Sequence, residues 1–304
     1  MLYPPALRPG SLVRVIAPSG PFDRALFFRA LGWLSERYRV VWTRGALERK
    51  GYLAGDDERR LRELDEALRD PEAGAIIAAR GGFGATRISD CADFQSLARY
   101  PKWCVGFSDF TALHVEAARV HVASLHAPNL IGFGRADERA RLDWLDALER
   151  PLARRSFGPL SRLSPGGATG PIFGGNLSLL FCAAAAGRLK LPERCILFLE
   201  EVNEAPYRID RMLTGLVSGG HLRRAAAICI GDLVDDATTE PRRQVDALAA
   251  AAGCLTRLGV PVVAGLPIGH GRINRAIPCG APAWLNDDGP AQLLVNPDGN
   301  DLPH

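Results

Sequence analysis

The stretch WCVGFSDFTALHVEAARV, residues 103–120, decides how the first half of the chain is read. It opens as an apolar, strand-like run and passes, around Ser108 and Asp109, into a helix-like one with apolar positions three and four apart. A strand that is apolar throughout, rather than alternating, is covered on both faces, as in a parallel sheet. Ser108 at the junction has two readings. Its hydroxyl suits a helix cap, and a Ser at a sharp strand-to-helix turn is equally suited to nucleophilic attack. The G-x-S-x-G elbow pattern is half met, because GFSDF carries Phe110 where the second Gly would stand.

Working outward, the same grammar repeats. LVRVIAP (12–18), YRVVWTR (38–44) and AGAIIAAR (73–80) read as strands, and DRALFFRALGWLSER (23–37) and DERRLRELDEALRD (57–70) as helices. This predicts an α/β fold whose first domain, residues 1–150, is an open, doubly wound parallel sheet. Residues 151–170 are rich in Pro, Gly, Ser and Arg without a period and read as a linker. Residues 171–304 read as a mixed α/β domain with an antiparallel element. In it GNLSLLFCAAAAG, APYRIDRMLTGLVSGG and RRQVDALAAAAGCLTRL are helical, CILFLEEV and AAAICIGDL are strands, and AIPCGAPAWLNDDGPAQLLV is a hairpin around Asn-Asp-Asp-Gly.

Composition excludes more than it selects. The 304 residues are 47% apolar with a formal net charge of +3, an ordinary globular balance that demands neither nucleic acid nor membrane. Basic clusters such as ERPLARRSFG lack interleaved aromatics. The N-terminus MLYPPALRPGSLVRVIAPSG has prolines and an early charge where a signal peptide needs an apolar core, so a soluble, cytoplasmic protein is expected. Seven scattered cysteines and six histidines show no metal or redox spacing.

Three further stretches carry candidate chemistry. ARGGFGATRISD, residues 79–90, misses the dinucleotide G-x-G-x-x-G at Arg87, yet Gly81, Gly82 and Gly84 can present a backbone N–H beside that of Asp109 to hold an oxyanion. Glu200 and Glu201 end an apolar strand, and alternation sends one toward a cleft and the other toward solvent or a salt bridge. His270 lies in GHG, where the flanking glycines remove bulk that would crowd a substrate. A Ser hydroxyl needs a base, and the base needs a carboxylate to fix its tautomer. Ser108, His270 and Glu200 supply one of each, which predicts an active site in an interdomain cleft.

Taken together, VIAPSG, ARGGFGATRI, VGFSDFTALH, GGNLSLL, LFLEEVNEAPYRIDRML and GHGRINRAIPCG resemble, in order and spacing, the LD-carboxypeptidase family of serine peptidases, from about residue 12 to 280. The resemblance implies a Ser108–Glu200–His270 triad and an oxyanion hole at the amides of Gly82 and Asp109. It further implies a Rossmann-like N-terminal domain with a smaller, β-rich mixed α/β C-terminal domain, a cytosolic homodimer with neither metal nor coenzyme, and release of terminal D-alanine from muropeptide tetrapeptides. The alternative within the family is an immunity peptidase that cleaves peptide-nucleotide toxins of the microcin C kind. Ala127, Asn129, Glu201 and Asn203 depart from the family's usual residues and bear on the substrate pocket rather than on the triad. Recognition of a free carboxylate calls for an arginine, and Arg80, Arg208, Arg272 and Arg275 lie beside the motifs without the sequence choosing among them.

Overall fold

A computed structural model describes residues 1–234, 241–298 and 301. The chain divides into two compact units, Met1–Pro151 with Arg275–Pro278, and Leu152–Asn274 with Cys279–His304.

In the first unit the apolar runs become parallel strands β1 (Leu12–Ile16), β2 (Arg39–Val41), β3 (Ala73–Ala78), β4 (Trp103–Gly106) and β5 (Ser124–His126). Their order is β5-β4-β3-β1-β2, and a short strand, Ile277–Cys279, adds to the β5 edge. Pleating explains why the central strands β3 and β4, and most of β1, are apolar on both faces, while the edge strand β2 is not. Val13, Val15, Ala75, Ile77, Trp103 and Val105 join one buried cluster with Phe27, Leu31 and Leu34 of the helix Arg24–Ser35. Ile16, Ile76, Ala78 and Cys104 point the other way, into a cluster with Leu64 and Leu68 of the helix Asp57–Arg69 and Leu113 of the helix Thr111–Arg119. Each fully buried aliphatic side chain contributes about 1.5–3 kcal/mol, so both faces are anchored and the sheet is doubly wound as predicted. The chain leaves β1 toward one edge to form β2 and returns past β1 to form β3. That reversal is the switch point at whose carboxyl ends open α/β sheets bind ligands.

The second unit departs further from expectation. Its strands are β6 (Arg155–Ser164), β7 (Ala168–Asn176), β8 (Cys195–Val202), β9 (Ala225–Val234) and β10 (Val262–Ala264), and then, after the strand Ile277–Cys279 (β11), β12 (Pro282–Asn286) and β13 (Ala291–Val295). Among the described residues β10-β6-β13-β12-β7-β8-β9 close into a barrel. The run β7-β8-β9-β10 is parallel, and the pairs involving β6, β12 and β13 are otherwise antiparallel, with the predicted hairpin at β12–β13.

The segment 151–170, read as a linker, is therefore a barrel wall, and the second unit begins at Leu152. Arg155, Phe157 and Leu160 point inward, but the register shifts opposite Gly158 and Pro159. This irregularity breaks the two-residue alternation by which a strand is recognised. Residues 275–278, read as part of the second domain, return to the first unit.

Candidate active site

Ser108 sits immediately beyond β4 with φ +63°, a left-handed conformation that costs a non-glycine residue about 1–3 kcal/mol. It caps nothing. The residues preceding the 3₁₀ turn Ser108–Phe110 and the helix Thr111–Arg119 are Phe107 and Phe110, and neither helix start is capped by a side chain. The turn closes tightly because Gly106 has no Cβ, since one would lie 2.6 Å from the Phe110 ring. His114 braces it from below. Its Nε2 lies 3.0 Å from the Gly106 carbonyl and its Nδ1 2.8 Å from Ser124 Oγ. A carbonyl only accepts, so Nε2 carries the proton and Nδ1 accepts from the Ser124 hydroxyl. Burial pushes this imidazole down to about 4, so it is neutral at physiological pH.

Two neighbouring loops converge on the turn. A Cβ on Gly81 would lie 3.0 Å from Ser108 Cβ and 3.1 Å from its Oγ, so the loop after β3 reaches the hydroxyl only because Gly81 is bare. The Gly20 amide, in the loop after β1, donates to the Gly81 carbonyl at 3.1 Å. Gly82 adopts φ +110°. Asp109, buried beside Ser108, accepts from the Ala85 amide at 2.8 Å, and burial raises its carboxyl above the ordinary range. Arg60, fully buried, donates to the carbonyls of Pro18 and Gly84 and pairs with Asp57, tying the two loops together. Neither the Gly82 nor the Asp109 amide donates a hydrogen bond among the described residues. Ser108, Gly82 and Asp109 are thus brought together. Arg60 and His114, which support them, were not singled out in the sequence, where each is one polar residue within a helix.

In the second unit the other two predicted residues also meet. Glu200, at the end of β8, is 0% exposed, and its Oε2 lies 2.7 Å from Nδ1 of His270, whose side chain is 17% exposed. The second carboxylate oxygen of Glu200 has no hydrogen-bond partner among the described residues. The loop bearing His270 rests on Glu200 and on a residue absent from the sequence reading, Asp232. Asp232 accepts from the Gly271 amide at 2.8 Å. Burial raises its carboxyl, the Glu200 charge adds to the rise, and His270 opposes it. The glycines flanking His270 answer to these carboxylates rather than to substrate bulk. Gly269 has φ +120°, and a Cβ there would lie 3.0 Å from the Cβ atoms of both Glu200 and Asp232, while one on Gly271 would lie 2.6 Å from Asp232 Oδ2. The signal for Asp232 was available as a lone acid ending the apolar run AAAICIGDL.

Glu201 corrects another expectation. It faces neither solvent nor a salt bridge but is buried, accepting from Asn176 Nδ2, the Ser178 amide, the Ser178 hydroxyl and the Val202 amide at 2.6–3.1 Å. Burial nonetheless raises its carboxyl. It fastens the start of the helix Leu177–Ala185 to β8, which is why GGNLSLL and LFLEE occur together. Asn203 has φ +62°, a conformation that Gly or Asn adopts readily. Asn129 caps the helix Leu130–Arg135 through the Gly132 amide at 3.0 Å. Among the described residues no helix is long and apolar enough to cross a membrane, and no group of three or more His, Cys, Asp or Glu could hold a metal.

Residues 13–127 match the LD-carboxypeptidase N-terminal domain and residues 169–285 the LD-carboxypeptidase C-terminal domain. A probable murein peptide carboxypeptidase of Bacillus subtilis is 34% identical over 290 residues, covering 93% of this chain and 91% of its own length. The crystal structure of muramoyltetrapeptide carboxypeptidase from Oxalobacter formigenes superposes with a TM-score of 0.82 at 29% identity, covering 93% of this chain and 98% of that one. An MccF-like protein from Bacillus anthracis, at 22% identity, shares the fold with a TM-score of 0.85 over 97% of this chain and 99% of its own. The chain belongs to the LD-carboxypeptidase family of serine peptidases.

Proposed function

We propose that this family member hydrolyses the L,D-amide bond of muropeptide tetrapeptides and releases terminal D-alanine. Ser108 is the nucleophile, His270 the general base and Glu200 the residue that orients it. The observation that carries the reading is the contact of the buried Glu200 carboxylate with the partly exposed His270 at 2.7 Å. Glu200 accepts from Nδ1–H, which leaves Nε2 as the basic nitrogen. As Ser108 Oγ attacks the carbonyl, its proton passes to Nε2. The oxyanion takes the Gly82 and Asp109 amides, a contribution for which losing one donor lowers turnover about 10²- to 10³-fold in other enzymes. The C–N bond breaks as Nε2 returns the proton to the departing amine of D-alanine. Water then cleaves the acyl-enzyme by the same relay and Ser108 is restored.

The reading draws its nucleophile from one unit and its acid–base pair from the other. It also takes the enzyme to be a cytosolic homodimer, testable by light scattering and by fractionation. Incubation with an L,D-tetrapeptide and an aminoacyl-adenylate analogue side by side decides between cell-wall recycling and toxin immunity. Release of D-alanine, lost in Ser108→Ala, is the expected result, and strong preference for the adenylate analogue would reverse it.

A further inference from the structure

A carboxypeptidase must hold the free carboxylate that lies one residue beyond the scissile bond, and four arginines flank the motifs. Two of them are already engaged. Arg208 pairs with Glu204 at 3.3 Å and Arg275 with Asp143 at 3.4 Å. Arg272 is exposed on the His270 loop. Arg80 differs from all three in its setting. It immediately precedes Gly81, the residue that packs on Ser108. It is exposed, and one Nη1 donor is spent on the Pro21 carbonyl at 2.5 Å. That bond holds the guanidinium beside Gly20, where an added Cβ would lie 3.5 Å from Nη1. No carboxylate pairs with Arg80 among the described residues. A fixed, uncompensated guanidinium with its remaining donors unspent therefore stands at the carboxyl end of β3, next to the Gly81–Ser108 contact.

We propose that Arg80 binds the terminal carboxylate of the substrate and so makes the enzyme an exopeptidase; this rests on the peptidase reading above. The carboxylate of a leaving residue lies about 4 Å from the scissile carbon, so the binding cation must stand close to the nucleophile. A planar guanidinium with several free N–H groups suits such a partner. A peptide that continues past this point, or ends in an amide, would leave the cation without its counter-charge, which converts one contact into discrimination.

The test measures kcat/KM on an L,D-tetrapeptide ending in D-alanine and on the same peptide ending in D-alaninamide. The wild type should favour the free acid. Arg80→Ala should lose about 10- to 100-fold on the acid, the range for a hydrogen bond to a charged group, through KM more than kcat. It should be nearly unchanged on the amide, so that the two values converge. Arg80→Lys should recover part of the preference, and Arg208→Ala should keep all of it. Retention of the full preference in Arg80→Ala, or its loss in Arg272→Ala instead, overturns the assignment. Failure of the wild type to cleave either peptide is a different result: it overturns the peptidase reading, and the role of Arg80 with it.

Discussion

Glu200 and Glu201 are neighbours on one strand, both buried, and their surroundings could hardly differ more. Glu201 accepts four hydrogen bonds from Asn176, Ser178 and Val202, so its oxygens are fully engaged in fastening a helix to the barrel. Glu200 holds a single imidazole through one oxygen, and its other oxygen has no partner among the described residues. A buried polar group is ordinarily satisfied, and an exception calls for an explanation, of which a catalytic role is one. On β8 the two neighbours meet different partners, Glu200 the loop of His270 and Glu201 the start of the helix Leu177–Ala185.

The largest predicted effect tests this contrast directly. Glu200→Gln should leave the fold intact yet lower kcat by about 10⁴-fold, as when the orienting acid of another triad is neutralised, because an amide can present its N–H to Nδ1 and favour the wrong tautomer. Steady-state assay with circular dichroism checks both halves, and a comparable loss of structure would break the comparison.

Next is the imidazole under the Ser108 turn. His114 titrates near 4 when folded and near 6.5 when unfolded, so between those values the unfolded chain binds more protons. Its contribution, about 3 kcal/mol, is complete above pH 6.5 and is lost as pH falls toward 4. Thermal melts across that window should show the wild type losing stability more steeply than His114→Gln.

Glu201→Gln should instead be a stability variant. Its amide nitrogen would face donors, costing about 1–3 kcal/mol, with a lower Tm but kcat within a few-fold of wild type. The smallest effect belongs to Asp232→Asn. An Asn oxygen still accepts from Gly271, but removing the negative charge disfavours the His270 imidazolium, so the acidic limb of kcat/KM should move to lower pH.

The parallel sheet was legible because strands covered on both faces leave unbroken apolar runs, and the catalytic candidates were legible because Ser108, Glu200 and His270 follow such runs or sit among glycines. The barrel was not. β6 carries its inward residues across a register shift at Gly158–Pro159, and a closed sheet built from distant strands leaves no local period. Arg60 and Asp232 escaped for a related reason: each acts by bridging loops that only the fold brings together. The partners of Glu201 were unreadable until the helix beginning at Leu177 was seen against it.

The claim that one of two adjacent carboxylates serves catalysis and the other architecture is tested most directly by the rate at which a fluorophosphonate labels Ser108, followed by intact-protein and peptide mass spectrometry. The account predicts a single adduct on Ser108, formed at nearly the wild-type rate in Glu201→Gln and at a greatly reduced rate in Glu200→Gln. Equal slowing by the two substitutions, or an adduct on another residue, would contradict it.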